Sequence, residues 1–552
     1  MQQPTQSHGG IIATGQGGGK QAERPPSVWR MAAGTAALSL ALKSALLALE
    51  AFPFNADEAV VALMARHILR GARPTFFYGQ AYMGSLDAGL VAGGFAILGQ
   101  KVLVVRLIQM LLFAATVGIT VVLAARITGS PRAALAAGLL MAIPTVNVTL
   151  YTTVSLGGYG EALLIGSLLL LISLWIADHP RSIGVYFLWG GLAGLGFWAF
   201  ALTLVFAFPA GLLVLWAGWR ERRGLAGRAL ALLAGIALGA SPWLAWAVRN
   251  GLGPLLSEAG GAAIAGASPG GWLAASWLHL VNLLLFGSTA AVGLRPPWEI
   301  RWLAPWLAPL AVAFWLAALF HMMRRAVRGG IGDRLLAGVA SVLAVGFVLT
   351  PFGADASGRY FVPLAVPMAI FGGALIAAPG FQRPAVAWAA LAGVVAFNLW
   401  GNIQTAFRNP PGITTQFDAV TQIDHSYDPQ LIAFLGEHGE TRGYTNYWVA
   451  YPLAFLSGEE LIYVPRLPYH QDFRYTPRDD RYPPYDEAVA ESERVAYITT
   501  HHPALDERIR EALIGYGVSF QEISIGDYQV FYDLSRPIRP EALGLGEETA
   551  RR

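Results

Sequence analysis

Runs of apolar residues, each close to the length that crosses a bilayer, recur through the first 405 positions of this chain. They fall at roughly Met31–Leu49, Val102–Ala125, Ala133–Val148, Ala162–Ala177, Gly184–Leu202 and Leu204–Trp219. Further runs follow at Leu225–Trp246, Trp302–His321, Leu335–Thr350, Phe361–Ala377 and Ala385–Gln404. A helix needs about 20 apolar residues to span the hydrocarbon core. In lipid, only helices and closed barrels satisfy their own backbone. The expected fold is therefore a mainly α membrane protein with about eleven transmembrane helices. Charge agrees: only 13% of residues are Asp, Glu, Lys or Arg, roughly half the share in soluble domains.

The net charge of +3 hides a division. Residues 1–405 carry 25 Lys/Arg and 12 Asp/Glu, or +13, and residues 406–552 carry 13 and 23, or −10. Opposite charge and different hydropathy mark two domains: a membrane domain over 31–405 and an α/β domain over 406–552. They follow a Gly/Gln/Ser/Pro-rich, disordered N-terminus, 1–30. Arginines cluster in alternate short loops, at Arg126/Arg132, Arg181, Arg220–Arg228, Arg324–Arg334 and Arg383. The positive-inside rule places these loops and the N-terminus in the cytoplasm of a multi-pass protein of the cell membrane. The segments 50–101, 149–161, 247–301 and 351–360 then face outward, as does the C-terminal domain. The basic excess reads as orientation and gives no reason to expect nucleic acid. The chain has no cysteine, which excludes disulfides and thiolate chemistry.

Chemistry concentrates in the outward segments. Asn55-Ala-Asp57-Glu58 follows the first apolar run directly, and ionisable groups at such a rim are functional suspects. Asp57 and Glu58 also suit the start of a helix capped by Asn55, where the macrodipole favours acids; both readings stand. An amphipathic helix lying on the membrane is expected next, carrying His67. After it come Tyr78, Gln80, Tyr82 and Asp87, a stretch dense in aromatic and hydrogen-bonding groups. Tyr159 and Glu161 enter another apolar run behind Gly157-Gly158. Arg359-Tyr360 enters a late one, and an outward arginine needs an anionic partner, phosphate or carboxylate. Lys43 and Glu50 share a face of the first span and read as a snorkelling pair.

An acidic pair after the first span, amphipathic outer-loop helices, Arg359-Tyr360 and an external C-terminal domain together resemble the GT-C superfamily. Its members are polytopic glycosyltransferases such as protein O-mannosyltransferases and aminoarabinose transferases. The resemblance covers about 31–405. It implies a sugar moved from a polyprenyl-phosphate donor to a hydroxyl of a lipid, glycan or protein, by inverting displacement at the outer face of the membrane. Asp57 is then the base, Glu58 its acidic partner, and Arg359 with Tyr360 the donor-phosphate site. Tyr78, Gln80, Tyr82, Asp87, Tyr159 and Glu161 would contact substrate. Some relatives use a divalent ion, for which His67 and the carboxylates are the available groups. The rival readings are a transporter or flippase of lipid-linked sugars, which would show internal repeats and midplane charges, and a non-catalytic assembly protein of the envelope.

In the C-terminal part, helices are expected over Pro429–His438, Tyr447–Leu456 and Pro503–Tyr516. Strands are expected over Arg442–Thr445, Glu460–Val464, Val495–Thr500, Val518–Ile525 and Tyr528–Tyr532. The segment Pro468–Tyr485 mixes aromatics with Asp and Arg, which suits either sugar binding over the membrane cavity or a plain ion-paired loop.

Overall fold

A computed structural model describes residues 27–256, 271–378 and 383–545. The disordered stretch expected over 1–30 lies almost wholly outside them. Among the described residues, nine helices are long and apolar enough to cross a membrane. They become ten if Leu225–Gly239 and Ser241–Asn250, bent by 70°, form one span.

The membrane helices expected from sequence recur with three corrections. The run Ala133–Val148 is not one span. It is broken near Pro144 into Pro131–Ala142 and Val146–Tyr151, because proline cannot donate to the preceding turn. The helix Ile183–Ala199 is shorter than a full span. Conversely, Gly271–Ala291, placed by sequence in an outer loop, passes as a span. Its polar residues hid it, and they turn inward: His279 meets the Val348 carbonyl at 3.1 Å, and Asn282 donates to the Gly353 carbonyl at 2.9 Å.

Lys43 does not snorkel. Its side chain is buried, and Nζ donates to the Thr152 carbonyl (2.8 Å), Thr152 Oγ1 (2.8 Å) and Thr153 Oγ1 (2.7 Å). It lies 4.6 Å from the centre of the Phe113 ring, while Glu50 is exposed. The ammonium thus neutralises the carbonyl end of the short helix Val146–Tyr151, as a cation at a helix C-terminus does.

The segment after the first span folds as foreseen locally but is placed differently. Asn55 Oδ1 accepts from the Glu58 N–H at 3.0 Å and caps the helix Ala56–Leu69. That helix keeps no apolar face free to lie on a membrane surface. Nearly all of it is buried between Leu86–Leu98 and the C-terminal helix Tyr447–Leu456. The hairpin of β1 (Phe76–Phe77) and β2 (Gln80–Gly84) stands beside it.

The C-terminal part is a five-stranded mixed sheet. Its strands are β3 (Arg442–Thr445), β4 (Ile462–Pro465), β5 (Ala496–Thr500), β6 (Gln521–Ile525) and β7 (Tyr528–Tyr532), in the order β4-β3-β5-β7-β6. β3 is parallel to β4 and β5; β7 is antiparallel to β5 and β6. Parallel pairs need crossovers, supplied by Tyr447–Leu456 between β3 and β4 and by Pro483–Ala490 between β4 and β5. The latter helix was not assigned from sequence; only its first three residues fall in the segment read as a sugar-binding or ion-paired loop. Tyr447–Leu456 is apolar all round because it is buried from both sides, by the sheet and by Ala56–Leu69.

Candidate functional site

A cavity of about 730 Å³ lies where the membrane helices, the segments expected to face outward and the C-terminal part meet. One flank is apolar: Leu204, Val205, Phe208, Val342, Leu343 and Phe347. The hairpin contributes Gln80 and Tyr82, and the loops at the helix ends contribute Tyr151, Tyr159, Arg359 and Tyr360. The C-terminal part contributes Thr415, Phe417, Tyr447, Trp448, Asp479 and Arg481. Asp57 faces the same space.

Asp57 reaches the cavity from the first turn of its helix. Its Oδ1 accepts from the Tyr447 hydroxyl at 2.5 Å. Burial, and then the Asp57 carboxylate, push the Tyr447 phenol well above its ordinary value, so it remains a donor. One carboxylate oxygen is thereby oriented. The Arg481 guanidinium lies 5.3 Å from the centre of the Tyr447 ring, a cation–π contact. The Gln80 amide, turned to satisfy its neighbours, accepts from Arg481 at 2.7 Å and donates to the Tyr82 hydroxyl at 3.0 Å. Burial pushes Asp479 up to about 7, Arg481 opposes that shift, and Asp57 adds to it.

Arg359 stands on the membrane side of the cavity. Its Nε lies 2.5 Å from Asp355 Oδ2, and its guanidinium lies 5.0 Å from the centre of the Tyr360 ring. The anionic partner expected for Arg359 is thus Asp355, in a contact still open to the cavity. Tyr159 comes in behind Gly157 and Gly158, whose φ of 81° and 136° are accessible to glycine alone without strain. A Cβ on Gly158 would stand 2.9 Å from the Phe200 side chain.

Five sequence candidates do not line this cavity. Glu58, one residue and about 100° around the helix from Asp57, is fully buried and held by Arg106 through two bonds of 2.9 Å. Burial raises its pKa and Arg106 opposes the rise. It anchors the helix and does not face the space in front of Asp57. Tyr78 sits at the hairpin turn, stacked on Tyr482 at 4.7 Å and bonded to His67 at 3.0 Å. Asp87 is buried and accepts from Gln109 at 2.9 Å and Ser155 at 2.5 Å. Glu161 is buried next to it, two residues along the helix from Tyr159 and so on the far side. His67 is engaged by Tyr78 and by Glu459 at 2.8 Å. Among the described residues no three His, Asp or Glu side chains gather as a metal's ligand set.

Tyr447, Thr415, Asp479 and Arg481 complete the site from the far end of the chain. Asp479 and Arg481 belong to the Asp/Arg/aromatic segment that the sequence marked. Tyr447 carried no local signal, since its partner lies 390 positions away.

No protein-family model and no curated protein matches the chain. Its fold is similar to that of ArnT from Cupriavidus metallidurans bound to undecaprenyl phosphate. The TM-score is 0.54 at 12% identity, covering 92% of this chain and 98% of that one. The apo form of ArnT gives 0.54 at 13%, covering 87% and 93%. The Archaeoglobus fulgidus oligosaccharyltransferase in the apo form gives 0.51 at 11%, covering 86% and 69%. Such identities speak for architecture alone, and they speak for nearly its full length: the chain shares the fold of these solved structures.

Proposed function

We propose that the protein is a membrane glycosyltransferase that moves a sugar from a polyprenyl-phosphate donor to a hydroxyl acceptor at the outer face of the cytoplasmic membrane. The observation that carries this reading is one cavity holding a hydrogen-bonded carboxylate, Asp57, a phosphate-competent cation, Arg359, and an apolar flank for a prenyl chain. The similar fold of a protein bound to undecaprenyl phosphate supports it. Orientation is supported by the arginines. Loops expected in the cytoplasm meet through Arg126–Asp178 (2.6 Å) and Arg181–Glu221 (3.1 Å), while Asp57 and Arg359 belong to the outward segments.

In this reading the prenyl tail lies along Leu204, Val205, Phe208, Val342 and Leu343, and the phosphate binds Arg359 beside Tyr360. Tyr447 holds one oxygen of Asp57, and the free oxygen takes the proton of the acceptor hydroxyl. The acceptor oxygen attacks the anomeric carbon from the face opposite the phosphate. The bond from that carbon to the phosphate oxygen breaks, its electron pair leaves on the phosphate, and the anomeric configuration inverts. General-base help contributes roughly 10²–10⁴ in rate, and Arg359 stabilises charge on the departing phosphate. No step is assigned to a metal, because the described residues do not assemble a ligand set for one.

Asp57→Asn removes the base with little change of shape. Transfer from a polyprenyl-phosphate sugar by the purified protein is expected to fall at least about 100-fold with expression and thermal stability kept. Retained turnover would reject Asp57 as base. Arg359→Ala is expected to raise the half-saturating donor concentration about tenfold or more; an unchanged donor dependence counts against its phosphate role.

A further inference from the structure

Besides Arg359 Nε, which faces the Asp355 carboxylate, two polar atoms in residues that line the cavity are buried and have no hydrogen-bond partner among the described residues: Arg481 Nε and Thr415 Oγ1. The residues are 7% and 5% exposed, and both belong to the C-terminal half. Leaving a buried polar group unmet costs about 1–3 kcal/mol, so two in the lining of one cavity mark groups that a ligand can satisfy. The groups around them are of one kind. The Gln80 amide and Tyr82 hydroxyl stand next to Arg481, and Asp479 is on the same wall. Trp448 offers a ring face. A guanidinium, a hydroxyl, an amide and a carboxyl beside an aromatic ring can satisfy a ring that carries several hydroxyls.

We propose that Arg481 and Thr415 form the subsite for the hydroxyls of the transferred sugar, so that the C-terminal half of the chain selects which sugar is moved. This rests on the reading of the cavity as a lipid-linked sugar site. Placement favours the donor's sugar. Tyr82 lies within the electrostatic reach of both Arg359 and Arg481, and Tyr447 joins Arg481 to Asp57. A sugar whose phosphate is on Arg359 and whose anomeric carbon faces Asp57 therefore has its ring against Tyr82 and Arg481. The membrane helices hold the carrier, and the C-terminal half reads what the carrier bears.

The test compares carriers with and without a sugar. Full-length protein in lipid nanodiscs is titrated with undecaprenyl phosphate alone and with the same lipid bearing glucose, mannose, galactose or arabinose. The wild type is expected to bind at least one sugar-bearing carrier about tenfold tighter than the bare one, the value of one satisfied hydrogen bond to a charged group. Arg481→Gln and, independently, Thr415→Val are expected to erase most of that gain while bare-carrier binding stays within about twofold. Equal weakening of bare and sugar-bearing carriers by Arg481→Gln would make it a phosphate ligand and overturn the proposal. So would a gain that survives in both variants, or no gain for any of the four sugars. A wild type that binds no carrier at all sinks the glycosyltransferase reading itself.

Discussion

Asp57 and Glu58 are neighbours in sequence with opposite fates, one at the cavity and one sealed against Arg106. The apolar context marked the pair; only the rotation of the helix separates them. Glu161 repeats the lesson, since a carboxylate two residues from a cavity-lining tyrosine, Tyr159, can point to the far side of its helix. Tyr447 reaches Asp57 across 390 positions and Arg481 approaches from further along still, which no local pattern encodes. Asp479 yields a prediction at this scale. Burial lifts it from 3.8 to about 7, so between about pH 4 and 7 the folded state holds a proton that the unfolded state releases. The sign follows: stability contributed by that proton is present at low pH and is lost as pH rises toward 7. In Asp479→Asn this loss is absent. Thermal unfolding in detergent at pH 5 and pH 8 is expected to show the wild type losing ground against the variant as pH rises. Parallel curves would show that the group ionises freely.

Elements were most legible where local chemistry fixes their ends. The strands β3 and β7 and the helix Tyr447–Leu456 have the bounds that alternation and turn residues indicate. Spans were least legible where proline breaks a run or where inward-facing polar residues dilute one, as at Pro144 and in Gly271–Ala291. One packing device carried no weight in the hydropathy pattern. The helices Ile183–Ala199 and Leu225–Gly239 touch through glycines: a Cβ on Gly235 would stand 2.2 Å from the Phe187 carbonyl oxygen, and one on Gly194 2.3 Å from that of Ile236. Small residues at four-residue spacing let helix backbones meet in lipid. Gly235→Leu must separate the pair, and a loss of about 2 kcal/mol or more is expected. A lowered unfolding midpoint in nanodiscs checks it; an unchanged midpoint would mean the pair contributes little.

At the scale of the molecule, one carboxylate fastens the C-terminal half to the helix Ala56–Leu69. Glu459 binds His67 at 2.8 Å, Arg70 at 2.6 Å, Arg66 at 3.5 Å and the Tyr485 hydroxyl at 2.9 Å. Burial raises its pKa, but His67, Tyr485 and Arg70 outweigh this and hold the carboxyl at about 2. Glu459→Gln leaves a mostly buried Arg66 without its charge partner, which costs about 3 kcal/mol. Hydrogen exchange in the Tyr447–Leu456 helix is expected to quicken while the helix Val102–Thr128 keeps its protection. Equal exchange in both proteins would show that the clamp is idle. The sequence announced two domains through their charge, yet not that the second forms the roof of a cavity in the first.

That roof has a bearing on biosynthesis. The tyrosine that orients Asp57 is made almost four hundred residues after it, and Asp479 and Arg481 later still. A nascent chain whose early helices are already inserted holds a bare carboxylate with nothing to steady it. Such a chain lacks Tyr447, Asp479 and Arg481 around Asp57 until the segment that carries them has been made and has docked.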